Sequence, residues 1–561
     1  METHEWHKHP SFKNLFESEI SILKRGLKGD FKLYKLEVPK DIGARVEAFG
    51  ELKFGTNHKQ KVRIIFPTKY PYAAPSIIAC NYNVDEKGNI TSQIQLTLFG
   101  KGNQYTDGKM CLMRTEQWDK EKDNIGSAMR RAQSWLKSAT SKEGFKKEEI
   151  VEEFPSIMEH VGQVLIPKDI PLQPNINSGN FILTQFKPNN YILESNFLPE
   201  STFKLNVGQE SFRWYRLDEG ITLKTIFPTL TGQDIINLYA KYLSENINEG
   251  DNVKKIALYL PSETCKWHFF KVVTQKQGNQ ILVNPPIYYI SRNISQELYL
   301  RTKDIFDDKI LAKKKVTIVG VGAIGSEVAI SLAKNGVGHF NLFDMDKFEI
   351  GNSVRHAADL FYIGEHKVNV AKQLILRSNP NLTVNTFNTD VLNDNGLLES
   401  SLNNSDLCIV LTAEDSVEYL INDFYQKNYN IPFIFARASM GAFSGAIQVV
   451  DSQSACLKCL SLYNADTLPK PISEIRLSEL TPEYGSCSSP ALPGSEIDTK
   501  EIALQVSRVA MQCLLKDEKS TYPELKNKQY YWHGPYGSSE KEPFTWEMKN
   551  IEKHKDCPIC H

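Results

Sequence analysis

The run KKVTIVGVGAIGSEVAISLAKNGVGHFNLFDMD, residues 314–346, constrains the fold of this chain more than any other stretch. It reads as a buried strand, a glycine turn, a helix and a second strand that ends in acidic residues, the order of a βαβ unit. Gly320, Gly322 and Gly325 form the pattern GxGxxG at the turn. Glycines there let the backbone and the helix N-terminus approach a phosphate-bearing ligand. This part of the chain is therefore predicted to be a Rossmann-like α/β domain that binds a nucleotide.

Two kinds of nucleotide are compatible with the glycine motif alone. Asp344, nineteen residues after Gly325, suits an NAD-binding dehydrogenase in which the acid binds the ribose hydroxyls. The following residues favour a triphosphate, because NSVRH brings Asn352 and Arg355 and GEHK brings Lys367. Charge that develops on a leaving pyrophosphate needs cations and donors, whereas a dinucleotide site leaves these three residues unexplained.

The order GxGxxG, Asp-x-Asp, Asn-x-x-Arg and Gly-x-x-Lys resembles the ATP site of ubiquitin-activating enzymes and of the adenylating enzymes of molybdopterin and thiamine biosynthesis. The resemblance implies that ATP is the nucleotide. It implies that Asp344 binds the ribose, that Asp346 completes the acidic motif, and that Asn352, Arg355 and Lys367 contact phosphates.

The same resemblance implies two further residues. An arginine from the partner subunit completes the site in that family, and Arg301 in ELYLRTKDIF is the candidate for this role. The family also carries a Mg²⁺-binding Asp directly after a Cys-Thr or Ala-Thr pair. In LCIVLTAEDS this place belongs to Ala413, and Glu414 and Asp415 follow it. Asp415 is predicted to be the Mg²⁺ ligand.

Two Cys-x-x-Cys pairs, CLKC and CPIC, are separated by 97 residues. Their members are Cys456, Cys459, Cys557 and Cys560. Four thiolates in two such pairs are typical of a structural zinc site, because one short loop can present two sulfurs to a tetrahedral ion. Two separate redox pairs are the alternative, but the thioredoxin-like context for them is missing. In the adenylating family such a zinc site joins the last strand to the C-terminus, so the resemblance also implies Zn²⁺.

Cys487 lies between these pairs in the polar loop YGSCSSPALPG, just before a predicted helix. The helix dipole can favour the thiolate, although an incidental loop thiol is equally compatible with cysteine chemistry alone. The loop is similar to the segment that carries the thioester cysteine of activating enzymes. That resemblance implies that Cys487 attacks the acyl adenylate.

The N-terminal segment predicts a helix in SFKNLFESEISILKRGLKG, an antiparallel meander, and a proline-rich loop in FPTKYPYAAPSI. Cys111 follows in GKGNQYTDGKMCLM. This order resembles the ubiquitin-conjugating fold, whose proline-rich loop precedes the active-site cysteine. The family's His-Pro-Asn reads Lys-Gly-Asn in this chain, and Asn103 keeps the distance of eight residues from Cys111. The resemblance implies that Cys111 receives the acyl group and that Asn103 assists; a degenerate domain kept only for binding is the alternative.

A chain of 561 residues should divide into several domains. The predicted fold is multi-domain α/β and α+β: a ubiquitin-conjugating-like α+β domain over 1–160, an α+β connector over 161–295, and a ThiF-like adenylation domain with zinc knuckles over 296–561. This fusion resembles the conjugation enzymes of bacterial CBASS anti-phage operons, which accompany nucleotidyltransferases related to cGAS. The resemblance implies a homodimer through the adenylation domain and a cGAS-like synthase as the protein substrate.

The predicted reaction is ATP-dependent adenylation of a protein C-terminal carboxylate, thioester formation on Cys487, transfer to Cys111 and conjugation to an amine. A sulfur-carrier adenylyltransferase would have no use for the Cys111 domain, and an ATP-gated scaffold would need neither cysteine. Lys and Arg total 66 against 67 Asp and Glu, which gives no reason to expect a nucleic-acid partner. No apolar run approaches the ~18 residues of a membrane span. Since METHEWHKHP also lacks the apolar core of a signal peptide, a cytoplasmic protein is expected.

Overall fold

Two compact units make up the chain. One comprises Met1–Ile166 and Ile170–Arg292, and the other comprises Pro167–Asp169 and Asn293–His561. The computed structural model describes residues 6–39, 44–56, 58–97, 104, 108–113, 117–141, 161–167, 176–198, 209–220, 253–261, 266–277, 280–283, 287–393, 396–426, 428–439, 442–463, 483–486, 489–491, 495–516, 518, 521–536 and 541–561. The three domain limits given above remain a prediction.

The first unit begins with a five-stranded antiparallel meander flanked by helices, as its sequence predicts. Its strands are β1 (Phe31–Glu37), β2 (Glu47–Phe54), β3 (His58–Ile65), β4 (Ser76–Asn81) and β5 (Gln95–Leu96), and its helices are α1 (Lys13–Gly29) and α2 (Ile125–Thr140), with a short 3₁₀ turn at Pro10–Phe12. Buried Glu19 on α1 accepts hydrogen bonds from Tyr70 Oη (2.7 Å) and from the backbone N–H of Ile125 (2.8 Å). One carboxylate therefore fastens α1 to both the proline-rich loop and the start of α2.

The same unit contains a second sheet of eight strands. Its strands are β6 (Gly162–Ile166), β7 (Ser178–Lys187), β8 (Asn190–Leu198), β9 (Gln209–Arg216), β10 (Val253–Tyr259), β11 (Trp267–Gln277), β12 (Gln280–Val283) and β13 (Ile287–Asn293). The order is β10-β9-β7-β8-β6-β13-β11-β12, and the sheet closes on itself because β10 also pairs with β11. Aromatic residues, among them Phe181, Phe212 and Phe269, fill its interior. The predicted helix in DIINLYAKYLSENI lies outside the described residues.

The second unit is built on a mixed eight-stranded sheet of order β16-β15-β14-β17-β18-β19-β22-β23. The strands are β14 (Lys315–Val319), β15 (His339–Phe343), β16 (Thr383–Phe387), β17 (Leu407–Val410), β18 (Phe433–Ala438), β19 (Ser444–Val450), β22 (Gln529–His533) and β23 (Thr545–Lys549); β20 (Glu483–Ser486) and β21 (Ser489–Ala491) pair separately. Strands β14 to β18 are parallel and the remaining pairs are antiparallel. The strand order reverses between β14 and β17, and in open α/β sheets ligands bind at the carboxyl ends beside such a reversal.

Helices cover this sheet. They are α3 (Ile294–Glu297), α4 (Asp308–Leu311), α5 (Ala323–Lys334), α6 (Lys367–Ser378), α7 (Leu397–Leu402), α8 (Asp415–Leu420), α9 (Leu457–Leu462) and α10 (Glu496–Leu514), with 3₁₀ turns at Ile350–Asn352, Leu360–Tyr362 and Val391–Asn393 and a π turn at Ile421–Tyr425. Helix α10 packs closely against β19 at Gly445, because a Cβ added to this glycine would lie 2.5 Å from Ile502 Cδ1. In the part of the chain that the structure describes, no helix has both the length and the apolarity to cross a membrane.

Candidate active site

The glycine loop lies between β14 and α5, as predicted, and its three glycines serve different purposes. Gly320 has φ of 91°, and a Cβ on it would lie 2.8 Å from the carbonyl carbon of Leu411. A Cβ on Gly325 would lie 2.0 Å from Gly320 O, so the loop's own backbone requires both glycines. A Cβ on Gly322, the residue before α5, would meet nothing within 4 Å. The chain itself does not require glycine at 322, and the space is open to a ligand.

Asp344, directly after β15, is hydrogen-bonded to the glycine loop. Its Oδ2 accepts the backbone N–H of Val321 at 2.8 Å, and its Oδ1 accepts that of Asp346 at 2.9 Å. Burial raises the pKa of Asp344, while the Lys367 charge and the two backbone donors act in the opposite direction. The Lys367 Nζ atom lies 2.7 Å from Asp346 Oδ2. Asp344 is therefore hydrogen-bonded to the glycine loop, and Asp346 forms an ion pair with Lys367, the predicted phosphate-binding lysine.

A crevice of about 250 Å³ opens beside the loop. Gly322, Asn352, Arg355 and Lys367 all line it, so the structure brings together four residues that the sequence predicts in one site. The remaining lining residues are Ala323, Ile324, His356, Leu411, Thr412, Ala413, Ala438, Ser439, Ala442 and Thr499. Two cationic side chains and an amide thus face the N-terminal end of α5, whose dipole also favours an anion. This arrangement suits a polyphosphate.

His356, which ends NSVRH, is a member of the crevice for which the sequence predicts no role. Its Nδ1 accepts the backbone N–H of Ala358 at 3.0 Å, so Nε2 carries the proton and donates to Val321 O at 2.9 Å. Burial lowers the pKa of His356 to about 4, so the ring is neutral at pH 7. His356 ties the segment with Asn352 and Arg355 to the glycine loop and adds no third cation. Its place directly after Arg355 in the motif is the sequence signal that could have pointed to it.

Asp415 and Arg301 do not line the crevice. Asp415 Oδ1 lies 2.7 Å from Arg437 Nη1, and the same guanidinium donates to buried Glu418. Asp415 is thus paired with an arginine and lies outside the crevice lining, so no step through Mg²⁺ is derived. Arg301 is exposed and follows α3. The roles predicted for these two residues remain predictions.

The four paired cysteines meet in one cluster. Their sulfurs all lie within 4.8 Å of one another, with Sγ–Sγ distances of 3.9 Å for Cys456–Cys459, 3.7 Å for Cys456–Cys557 and 3.5 Å for Cys459–Cys560. A tetrahedral ion with Zn–S bonds of about 2.3 Å requires sulfurs about 3.8 Å apart. The cluster therefore fits Zn²⁺ in spacing and in ligand type. The Cys-x-x-Cys spacing predicted this meeting across 97 residues.

Cys111 lies in a segment that is hydrogen-bonded to β4. The backbone N–H of Met110 donates to Ile77 O at 2.9 Å, and only 7% of Cys111 is exposed. Asn103, its predicted assistant, lies outside the described residues, and so does Cys487. The structure thus defines the backbone around Cys111. The roles of Cys111, Asn103 and Cys487 remain predictions.

Family comparison tests the assignment of the second unit. Residues 295–558 match the ThiF family. This segment is a ThiF-family domain. The predicted resemblance to ThiF-type adenylating enzymes is thereby confirmed for this part of the chain.

The relatives of this chain include an uncharacterized protein, a ubiquitin transferase-like protein and an activating enzyme. An uncharacterized protein y4qC of Sinorhizobium fredii is 27% identical over 44% of this chain and 44% of its own length. The ATP-dependent ubiquitin transferase-like protein Cap2 of Enterobacter hormaechei is 25% identical over 48% of this chain and 42% of its own. The ubiquitin-like modifier-activating enzyme 5 of Caenorhabditis elegans is 32% identical over 27% and 38%. The chain thus covers less than half the length of these curated relatives.

Among solved structures, Escherichia coli MccB with ATP matches 45% of this chain and 68% of that chain, at 21% identity and a TM-score of 0.33. A match of this extent carries no argument about mechanism. The nucleotide site is inferred instead from the strand order, the glycine loop and the residues that line the crevice.

Proposed function

We propose that this protein uses ATP to adenylate the C-terminal carboxylate of a protein and then transfers the acyl group, through thioesters on Cys487 and Cys111, to an amine. The observation that carries the first step is the open space at Gly322, which faces Arg355 and Lys367 across the crevice. The ThiF family and the names of the activating enzyme and of Cap2 support the same step.

Each crevice residue has a proposed task in adenylation. ATP lies with its phosphates at Gly322 and the start of α5, and Asp344 accepts the ribose hydroxyls with the lone pairs that its two backbone bonds leave. A carboxylate oxygen of the protein substrate attacks the α-phosphorus, and the bond from that phosphorus to the pyrophosphate oxygen breaks. Lys367, Arg355 and Asn352 stabilise the charge on the pyrophosphate as it leaves.

Transfer follows by thiolate chemistry. The Cys487 thiolate attacks the acyl carbon and AMP leaves; the Cys111 thiolate then attacks the same carbon and releases Cys487. An amine, such as a lysine of an acceptor protein, finally attacks the thioester on Cys111; the bond to sulfur breaks, the Cys111 thiolate leaves, and the amine nitrogen loses a proton to a base. Asn103 is proposed to stabilise the oxyanion of that last step. The ubiquitin-conjugating-like identity of the N-terminal domain is part of this proposal.

The Cys456–Cys459–Cys557–Cys560 cluster is proposed to bind Zn²⁺ as a structural ion. Burial raises the pKa of Cys456 and Cys459; burial acts in the same direction at Cys557, but backbone and thiol hydrogen bonds outweigh it and lower the pKa there. A bound Zn²⁺ would hold them as thiolates and join α9 to residues 557–560.

A homodimer through the ThiF domain is proposed to complete the site. Val354 and Phe361, beside the crevice segment, are 69% and 78% exposed, and Ile350, Leu360 and Ile363 in the same stretch of chain are also exposed. Apolar surface of this kind is typical of an interface. Arg301, exposed and absent from the lining of its own crevice, is proposed to act in the crevice of the second copy.

The proposed setting is cytoplasmic anti-phage defence, with a cGAS-like nucleotidyltransferase as the protein whose C-terminal carboxylate is activated. The printed name of Cap2 supports a transferase of the ubiquitin type. Another relative, the adenylyltransferase and sulfurtransferase UBA4 of Debaryomyces hansenii, is 34% identical over 20% of this chain. That match favours a sulfur-carrier adenylyltransferase as the second candidate.

One experiment separates these functions. The purified protein is incubated with ATP, Mg²⁺ and the candidate synthase, then run on a non-reducing gel as wild type, Cys487→Ala and Cys111→Ala. The relay predicts a thiol-sensitive adduct that persists on Cys487 in Cys111→Ala and is absent in Cys487→Ala. Pyrophosphate exchange without any adduct would favour sulfur-carrier adenylation, and binding without exchange would favour a scaffold.

A further inference from the structure

The outer edge of β4 binds two separate stretches of the chain through one residue, Ala79. The carbonyl of Ala79 accepts the backbone N–H of Thr97 at 3.0 Å, and the N–H of Ala79 donates to Gly108 O at 3.2 Å. The chain therefore leaves β4 at Thr97 and returns to it at Gly108. Residues 98–107 connect these two points, and Gln104 is the one among them that the structure describes.

Gln104 joins the two ends of this connection to each other. The residue is buried, with 5% of its surface exposed. Its Nε2 donates one hydrogen bond to Thr97 O at 2.8 Å and another to Gly108 O at 3.1 Å. Both lengths are ordinary for N–H···O bonds. One side-chain amide thus ties the point of departure from β4 to the point of return, and this pair of hydrogen bonds is here named the Gln104 clip.

The backbone of Gln104 is also paired with the segment that carries Cys111. Gln104 and Met110 form an antiparallel bridge, and Cys111 follows Met110 directly. The return to β4 is closely packed, because Gly108 has φ of 81° and a Cβ on it would lie 3.0 Å from Leu96 Cδ2. A displacement of Gln104 would therefore move the backbone next to Cys111.

The sequence of the connection explains why a clip is needed. Lys101 and Gly102 stand where the ubiquitin-conjugating motif has His-Pro. Proline fixes the backbone angle φ, whereas glycine gives the chain the widest choice of conformations. The connection therefore lacks the restraint of a proline, and a side-chain amide that binds both of its ends supplies another. An apolar side chain at position 104 would fill the same space but would take donors away from buried carbonyl oxygens, which costs free energy.

We infer that Gln104 is a positioning residue for Cys111, and that its clip holds the Cys111 segment in the one arrangement in which a thioester there is attacked by an amine. This inference rests on the proposed transfer of an acyl group to Cys111. The bonds that form and break are those of the final step given above, and Gln104 contributes only restraint. Asn103, the residue proposed to assist that step, directly precedes Gln104 in the sequence. A restraint on Gln104 therefore acts on both members of the proposed pair.

Alkylation of Cys111 tests the clip independently of the relay. Wild type, Gln104→Met and Gln60→Met are treated with iodoacetamide, and the modified fraction of the Cys111 peptide is followed by mass spectrometry. Methionine matches glutamine in length and supplies no donor. Gln60, on β3, is the matched control, because its Nε2 donates to Cys80 O at 2.9 Å and to Thr97 Oγ1 at 3.4 Å in the same sheet.

Gln104→Met should raise the alkylation rate of Cys111 by about 30-fold, since the loss of two ordinary hydrogen bonds increases the open fraction of a buried segment by about that factor. Gln60→Met should stay within about 3-fold of wild type, because its hydrogen bonds lie outside the clip.

A chase with free L-lysine measures the effect on the chemistry. Protein charged with ATP, Mg²⁺ and the candidate synthase is desalted, and loss of the Cys111 adduct is followed over a series of lysine concentrations. Because only charged molecules contribute to this rate, unfolded protein does not affect it. Gln104→Met should lower the maximal rate by about 30-fold and leave the lysine concentration at half-maximal rate unchanged, since the clip acts on the thioester and not on the amine.

Four results would decide against parts of this scheme. An unchanged alkylation rate in Gln104→Met would overturn the inference, and so would an equal rise in Gln60→Met. Faster alkylation with an unchanged maximal chase rate would also overturn it, because the clip would then support the fold without positioning Cys111. If wild type forms no adduct on Cys111, the proposed relay is wrong, and the alkylation rates alone decide whether Gln104 holds the segment.

Discussion

The nucleotide crevice and the Cys111 segment were both predicted from short motifs, yet the structure supports them to different extents. At the crevice, Gly322, Asn352, Arg355 and Lys367 line one cavity. At Cys111 only 7% of the residue is exposed, and its predicted assistant lies outside the described residues. A phosphate site consists largely of backbone geometry, which nearby glycines determine. A nucleophile also depends on access and on partners distant in the chain, which no local motif encodes.

The largest expected effect comes from Cys111 itself. Cys111→Ala should abolish the final conjugate while leaving ATP–pyrophosphate exchange unchanged, because only the second transfer needs that thiol. Both reactions are measured on the same preparations. Cys80→Ala is the matched control, since Cys80 lies buried in the same sheet. Normal conjugate formation by Cys111→Ala would show that the N-terminal domain only binds.

The glycine loop offers a contrast within one motif. Gly322→Val should fold as wild type, because a Cβ there meets nothing, but should lose about 100-fold or more in pyrophosphate exchange by filling the phosphate space. Gly325→Ala should instead destabilise the domain by about 3 kcal/mol, since its Cβ would lie 2.0 Å from Gly320 O. Exchange rate and urea midpoint are measured for both. Full exchange activity in Gly322→Val would place the nucleotide elsewhere.

Mixed dimers test whether the crevice is complete within one copy. Arg301→Ala and Lys367→Ala should each be inactive in exchange alone. If Arg301 acts in the partner's crevice, co-refolded mixtures should recover about 25% of wild-type activity, because half of the dimers are mixed and each has one intact site. A mixture of Asn352→Ala with Lys367→Ala is the control and should stay inactive. No recovery from the first mixture would place Arg301 in its own crevice or outside the reaction.

An effect confined to acidic pH is expected from His356. Its folded pKa of about 4 lies below the ordinary value of 6.5. As pH falls from 6.5 towards 4, the unfolded chain takes up a proton that the folded chain refuses. His356 should thus lower the free energy of unfolding by up to about 3 kcal/mol in that window and have no pH effect above it. Urea unfolding of wild type and His356→Gln at several pH values measures this, and equal pH slopes would contradict it.

The sequence predicted the elements around the glycine loop and the meeting of four cysteines, because strand, turn and knuckle signals are local. It could not predict the pairing of Arg437 with Asp415 and Glu418, since that pairing depends on where α8 lies against β18. The Mg²⁺ assignment of Asp415 relied on position in a motif, whereas the neighbouring arginine determines where its carboxylate points. The charge of His356 is likewise determined by its burial and not by its position in the motif.

The position of Thr499 in the crevice affects the kinetics of the proposed relay. Thr499 of α10 lines the crevice, and Cys487 precedes it by twelve residues. Residues 496–499 already belong to α10, so the nine residues from Cys487 to the helix extend no more than about 30 Å, which would keep the thiol within reach of the adenylate at an effective concentration in the millimolar range. Capture would then be a first-order event within one molecule, and its half-time would stay constant when the enzyme is diluted.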